Sequence, residues 1–355
     1  MKFDKRQTNI AKGMALLLLL WHHVFYKSEE YYGLFRTVGT IDGVPFESCV
    51  ARYFKVCVAI FFFLSSFGMY KSWQNLRRRA IRSEGRLSAG AQVRFVKNHL
   101  IKVMMDFWFI YLIFVPLGMA FGVYFREVYE GSFGNGLLDF LCLSFFSRTP
   151  SMNPTWWFMS MVIAFYLLLP LLARLTEKVP EIVLGAAFFF MLIPDKYFPR
   201  GVMRYTEWIP PLLMGLLFAR FGWFERVQRR YAKLWQGALL TVPAIALFAY
   251  LRFMTEESVR YDALFAAAIL FFSYLVLSRV PLLGSALEWL GSYSGPIYMF
   301  HTFVYLIYGR DLIYWFAYPP LIYAVMLAVC LLIAVGLKYF KKLIRFDRLT
   351  AALTR

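Results

Sequence analysis

The chain has 355 residues, of which 60% are apolar and 20% aromatic, whereas only 17% are charged. This composition excludes a soluble globular protein, which needs more polar surface, and a disordered chain, which has few aromatic residues. The net charge of +18 would suggest nucleic-acid binding in a soluble protein, but in a membrane protein it is expected on one side of the bilayer.

Apolar windows recur along the whole chain at lengths that match, or nearly match, a bilayer-spanning helix of about 20 residues. They cover residues 8–25, 53–70, 103–124, 156–172, 182–193, 209–221, 235–253, 263–277, 289–308 and 314–337. An eleventh apolar stretch, 136–146, is too short to span and is predicted to be an interfacial or re-entrant segment.

Charge is distributed unevenly between the two sets of loops that alternate around ten spans. One set holds 26 Lys and Arg residues and the other holds 12, so the net charges are +19 and −1. The positive-inside rule therefore places both termini in the cytoplasm, and the basic run 77–79 is interpreted as a topogenic signal that contacts anionic lipid. No nucleic-acid partner is expected, because no groove-reading element is present.

These patterns predict an all-α polytopic integral membrane protein with about ten transmembrane helices. Residues 1–355 are predicted to form a single transmembrane domain that contains a basic cytoplasmic loop, 71–98, and has no appended soluble domain. The four cysteines show no CxxC or other metal-binding spacing, so no metal is expected.

Ionisable residues inside spans are costly, so each of them is a functional candidate. The first span carries Lys12 near its inner end and the pair His22-His23 toward its outer end. Lys12 and His23 are eleven residues apart, about 16 Å along a helix. A histidine here can deprotonate a hydroxyl, or the pair can simply hydrogen-bond lipid headgroups at the interface.

The third, fourth and ninth spans add further polar candidates. Lys102 and Asp106 are spaced to pair on one helix face, and His99 with Lys102 could instead bind a phosphate-bearing donor. His301 lies within the ninth span, after a Gly-Pro pair that weakens the helix. Trp156 and Trp157 open the fourth span, either as part of the interfacial aromatic belt or as a stacking surface for sugar rings.

In combination these segments resemble the membrane acyltransferase-3 family, multi-pass enzymes that move acyl groups, commonly acetyl, onto sugars of cell-envelope glycans. The resemblance covers essentially the whole chain. It rests on four segments that occur in the same order along the chain as in the family. They are Lys12 and His23 with ten residues between them, FFFLSSF at 61–67, WFMS at 157–160 with FYLLLP at 165–170, and SYSGPIYMFH at 292–301.

The resemblance implies a catalytic role for His23 and His301, with a cytoplasmic acyl-CoA, acetyl-CoA in the simplest case, held by Lys12, His99 and Lys102. It also implies contacts of the carbohydrate acceptor with the fourth span, through Trp156, Trp157, Ser160 and Tyr166.

Two departures from the family pattern bear on these expectations. The family's Arg-x-x-Arg at the start of the third span is replaced by His99 and Lys102, which leaves one certain cation there. The hydrolase-like domain that many relatives carry is not expected after Arg355, so transfer is predicted to need either this chain alone or a separate extracytoplasmic partner. The competing hypotheses are a transporter or flippase for a lipid-linked sugar or small metabolite, and, last, a non-catalytic membrane scaffold.

Overall fold

The computed structural model describes residues 2–26, 33–193, 197, 205–255 and 259–354. The described residues are mostly helical, and β1 (Thr40–Ile41) pairs with β2 (Val44–Pro45) as a two-residue antiparallel ladder. The α-helices are α1 Lys5–Phe25, α2 Phe46–Phe54, α3 Val56–Glu84, α4 Ala89–Ala120, α5 Phe125–Val128, α6 Phe133–Phe140, α7 Ser144–Ser147, α8 Trp157–Lys178, α9 Pro180–Leu192, α10 Ile209–Phe221, α11 Trp223–Arg230, α12 Leu234–Met254, α13 Asp262–Leu275, α14 Pro281–Gly291, α15 Ser294–Thr302, α16 Arg310–Tyr314, α17 Pro319–Leu343 and α18 Phe346–Leu353.

Other helical turns join these elements. A π-helix, Phe303–Tyr308, follows α15 directly, and short 3₁₀ turns cover Val259–Tyr261 and Leu277–Arg279. The all-α class predicted from the sequence is thereby confirmed.

Six helical stretches among the described residues are long and apolar enough to cross a membrane. They are Phe46–Glu84, Ala89–Gly118, Trp157–Lys178, Leu234–Met254, Val259–Arg279 and Pro319–Leu343, with shorter apolar helices at Pro180–Leu192 and Ile209–Phe221. Helix α1 is outside this set, because its hydropathy is lowered by two lysines, one arginine, two histidines and the polar residues of its first turns. The count of ten spans and the cytoplasmic position of both termini stay predictions. Four of the cations that the charge count assigned to outer loops lie outside the described residues: Lys27, Lys196, Arg200 and Arg204.

Two predicted segments differ in detail from the observed helices. The basic segment 71–98 is largely helical, since α3 continues to Glu84 and α4 begins at Ala89. Gly85 ends α3 in the left-handed conformation, with φ of 70°, which a residue without Cβ adopts readily. The predicted ninth span is divided into α14, α15 and the π-helix.

The described chain forms two compact units. The first unit comprises Met1–His22, Ser48–Leu87 and Leu169–Ser294. Within it α10 packs along α3 at Gly215, where an added Cβ would lie 2.0 Å from Ser66 Oγ. Four phenylalanines on α3, α10, α11 and α13 form an aromatic cluster with centroid separations of 4.8 to 6.2 Å: Phe63, Phe218, Phe224 and Phe271.

Two glycines let α1 and α14 approach closely within the first unit. A Cβ at Gly13 would lie 2.0 Å from the Leu287 carbonyl oxygen, and one at Gly291 would lie 1.9 Å from the Asn9 carbonyl oxygen. Both contacts are with backbone, which cannot move aside as a side chain can. The contact between α1 and α14 therefore requires glycine at these positions.

We expect Gly291→Ala to lower the free energy of unfolding by about 1–3 kcal/mol, the usual cost of overpacking. The measurement is thermal unfolding of the full chain in detergent. Gly336→Ala on α17 is the matched control, because nothing lies within 4 Å of the Cβ it would add. Equal unfolding midpoints for the two variants would show that α1 and α14 are not in this close contact.

The second unit comprises His23–Glu47, Ser88–Leu168 and Gly295–Arg355. Its helix α4 contacts α17 through an ion pair between Asp106 and Lys341. Asn98 Nδ2 of α4 also donates to the carbonyl of Thr354, the residue that follows α18, at 2.9 Å. The short helices α5, α6 and α7 belong to the same unit, and α6 and α7 cover most of the stretch 136–146 that was predicted to be interfacial or re-entrant.

Candidate active site

His301 is fully buried near the end of α15, in the second unit. Its Nδ1 lies 2.8 Å from the Tyr298 carbonyl oxygen and 3.1 Å from that of Ile297. Because carbonyl oxygens only accept hydrogen bonds, Nδ1 must carry the ring proton in the neutral form, and Nε2 must hold the lone pair. This Nε2 is buried and has no hydrogen-bond partner among the described residues.

His23 lies beside His301. The two ring centroids are 4.7 Å apart, and the ring of Tyr305, on the π-helix, is 6.2 Å from each of them. His23 is partly exposed, in contrast to His301. The structure therefore brings together two imidazoles and one phenol, three groups that can exchange protons.

The neighbouring His22 has a different environment. It is 5% exposed, and its Nδ1 lies 2.7 Å from the Ala51 carbonyl oxygen, so it donates a hydrogen bond within the first unit. Successive residues of a helix point about 100° apart, which is why adjacent histidines have separate surroundings. His22 anchors α1, whereas His23 lies beside His301.

A segment before α8 supports the turn that carries His301. The Met299 carbonyl accepts hydrogen bonds from Trp156 Nε1, at 2.9 Å, and from Asn153 Nδ2, at 3.2 Å. The Tyr298 hydroxyl donates to the Thr155 carbonyl at 2.6 Å. These three hydrogen bonds hold the turn of α15 that carries His301 against the segment before α8.

Asp139 is a fully buried acid on α6 that holds this supporting segment in place. Its carboxyl accepts from the Tyr129 hydroxyl at 2.7 Å, the Ser144 hydroxyl at 3.0 Å and the Met152 amide at 2.9 Å. Burial raises the pKa of the Asp139 carboxyl above its ordinary value of 3.8, and these hydrogen bonds offset part of the rise. Met152 immediately precedes Asn153, so Asp139 is linked to the backbone around His301.

The residues predicted to contact the acceptor have contrasting positions. Trp156 is 1% exposed and packs against Phe107 with a centroid distance of 4.8 Å, and the fully buried Ser160 donates to the Cys142 carbonyl. Trp157 and Tyr166 are partly exposed. Burial suits Trp156 and Ser160 to positioning α8, while Trp157 and Tyr166 keep surface that a ligand can reach.

The predicted donor-binding cations are distributed over both units. His99, on α4, donates from Nδ1 to the Phe95 carbonyl at 2.8 Å and lies 6.4 Å from the Tyr166 ring, and Lys102 is exposed on the same helix. The anticipated pairing of Lys102 with Asp106 was wrong, because Asp106 pairs with Lys341, which α17 brings to it.

Lys12 belongs to the first unit and is partly buried on α1. Among the described residues no carboxylate forms an ion pair with it. A partly buried cation without a carboxylate partner is costly unless an anionic ligand compensates it. No group of three or more His, Cys, Asp or Glu side chains in the described ranges could hold a metal ion.

The comparison with known families identifies the family of the chain. The family model described as an acyltransferase domain, Acyl_transf_3, matches residues 7–339. The chain belongs to the acyltransferase-3 family. The resemblance found in the sequence is thereby confirmed, and the protein is an acyltransferase of a multi-pass membrane family. No curated protein and no solved structure shows significant similarity to it.

Several residues near the histidines of this acyltransferase were missed by sequence reasoning. Tyr305, Asn153 and Thr155 are ordinary in an aromatic-rich apolar chain and give no signal by type or spacing. Asp139 did offer one, because it is an acid inside the eleventh apolar stretch, where an ionisable residue is unexpected.

Proposed function

We propose that the protein transfers an acyl group, acetyl in the simplest case, from a cytoplasmic acyl-CoA to a hydroxyl of a cell-envelope polysaccharide or glycolipid. The observation that carries the proposal is the pair His23 and His301, 4.7 Å apart in a chain of the acyltransferase-3 family. The acyltransferase class is established by the family, and the donor and acceptor are the proposed part.

In this mechanism His23, the more accessible ring, removes the proton from the acceptor hydroxyl. The hydroxyl oxygen attacks the thioester carbon, the carbon–sulfur bond breaks, and CoA leaves with the electron pair. The imidazolium of His23 then returns the proton to the departing sulfur. The free lone pair on His301 Nε2 stabilises that imidazolium, because it can accept a hydrogen bond from it.

We place the donor on the cytoplasmic side, where Lys12 and Lys102 supply positive charge for its phosphates and His99 adds to that charge when it is protonated. Lys12 and His23 lie on one continuous helix, α1, and are about 16 Å apart along its axis. An extended pantetheine arm spans such a distance. The topology that supports this placement is the predicted one, with ten spans, both termini in the cytoplasm and a location in the bacterial cytoplasmic membrane.

The acceptor is proposed to approach from the outer side and to contact the fourth predicted span. Trp157, at the start of that span, retains exposed aromatic surface, whereas Tyr166 lies farther along the helix, with its ring 6.4 Å from that of His99. Trp156 and Ser160 shape the same helix from within the packed interior. A separate extracytoplasmic protein is a second route for the acyl group to its final acceptor.

The test uses the purified full chain in vesicles, with acetyl-CoA labelled in the acetyl group outside and an envelope glycan extract inside. We expect label to become covalently attached to glycan, seen as a mass shift of one acetyl group per modified sugar. A transporter or flippase would instead move an unmodified solute and leave the glycan mass unchanged. Label that stays on CoA in the presence of every acceptor fraction would contradict the proposed function.

A further inference from the structure

A cavity in the first unit is lined mainly by cations. It measures about 560 Å³ and is bordered by Gln74, Arg77, Arg78, Ile81, Glu177, Lys178 and Arg220. All of these residues belong to the first unit, so the cavity is described within one compact body. Its volume lies within the usual range for small-molecule sites.

The lining comes from three separate parts of the chain. Gln74, Arg77, Arg78 and Ile81 have the spacing of one face of α3, and Lys178 and Arg220 lie at the ends of α8 and α10. Each part falls in a segment that the charge count assigns to the cytoplasmic side. Their meeting in one cavity agrees with that assignment.

The cations are only partly neutralised. Arg77 pairs with Glu177 at 3.2 Å, and Glu177 is the single carboxylate of the lining. Arg78, Lys178 and Arg220 have no carboxylate partner within the described part of the chain. Guanidinium groups bind phosphate with paired hydrogen bonds, and a third cation adds attraction for a multiply charged anion.

We infer that this cavity binds the phosphate groups of a cytoplasmic ligand. Two sources share that chemistry: the nucleotide part of CoA and the headgroup of an anionic phospholipid. The first source deepens the proposed function and rests on it, whereas the second does not. The cavity would add a phosphate site to those expected at Lys12, His99 and Lys102.

The experiment measures binding rather than turnover, so its outcome is separate from that of the histidine chemistry. In one arm, CoA is titrated into full-length protein in phosphatidylcholine nanodiscs. In the other arm, phosphatidylglycerol retained from mixed phosphatidylcholine–phosphatidylglycerol vesicles is counted by native mass spectrometry. The variants are the double change Arg78→Gln with Arg220→Gln, and the single change Lys178→Gln in case the double variant folds poorly.

The matched control is Arg79→Gln with Arg82→Gln. Both residues are exposed on α3 and lie outside the cavity lining. Their replacement removes two positive charges, as the double cavity variant does. We expect the cavity variants to bind about tenfold more weakly than this control in at least one arm. Glu177→Gln should bind more tightly than wild type, because it frees Arg77 and removes the one carboxylate among the lining residues.

The arm that responds identifies the source of the phosphate. Weaker binding in the CoA arm assigns the cavity to the donor, and weaker retention of phosphatidylglycerol assigns it to lipid. Equal binding by the cavity variants and the control variants, in both arms, would overturn the inference. An inactive wild-type enzyme with intact cavity-dependent binding would count against the proposed function alone.

Discussion

Replacing His301 with Asn is expected to lower the turnover of acyl transfer by about 10²–10⁴-fold, because the imidazolium that forms on His23 loses the group that stabilises it. The side-chain amide of Asn can replace the Nδ1 proton that His301 donates to the Tyr298 and Ile297 carbonyls. It has no counterpart of the Nε2 lone pair. The variant thus keeps the structural hydrogen bonds and removes the chemical function, and the measurement is kcat with labelled donor.

His23→Ala is the partner variant for this test. We expect a loss of similar size, and the double variant should be little worse than either single one, because groups that act as a unit are not additive. His22→Asn is the matched control, since its side-chain amide preserves a donor for the Ala51 carbonyl and it should retain transfer. A His301→Asn enzyme that folds and keeps wild-type kcat would exclude the proposed role of Nε2.

Replacing Asp139 with Ala is expected to lower the free energy of unfolding by about 3 kcal/mol. The substitution leaves the Tyr129 and Ser144 hydroxyls and the Met152 amide without their acceptor in a buried site, and each unsatisfied donor costs about 1–3 kcal/mol before relaxation. Acyl transfer should fall as well, because Asp139 holds the segment that supports the turn of His301. Thermal unfolding and kcat are measured on the same preparation.

Glu127→Ala serves as the control for this prediction, because Glu127 is exposed and the change removes an equal charge. The pH dependence adds a second readout with a defined sign. Burial raises the pKa of folded Asp139, so the folded state binds the proton more tightly than the unfolded state does. Wild type should therefore gain stability relative to Asp139→Asn as pH falls from neutral toward 3.8. The opposite slope would mean that the carboxyl is stabilised in its charged form.

The helical class and the family were predictable because both depend on features that repeat along the chain. Apolar windows and the motif around His23 are local patterns, and each is readable without knowledge of packing. Window 209–221 coincides with α10 for this reason, since Pro210 and Gly222 mark its two ends in the sequence itself.

The remaining details depend on contacts between distant segments, which no local pattern encodes. Lys341 is 235 residues from Asp106, and a Lys four residues away offered a simpler partner that the structure does not use. The tautomer of His301 follows from carbonyls whose direction only the folded helix defines. The hydrogen bonds of Trp156 and Asn153 to the Met299 carbonyl join residues more than 140 positions apart.

The π-helix after His301 makes the position of Tyr305 depend on the number of residues between them. Its six residues carry Tyr305 to within 6.2 Å of both imidazoles. Deleting one residue between His301 and Tyr305 would permit regular α-helical winding, but it would turn the Tyr305 ring by about 100° around the axis relative to His301. The π-helix thus determines which phenol lies beside the two imidazoles. Insertions or deletions between His301 and Tyr305 would be tolerated far less than conservative substitutions.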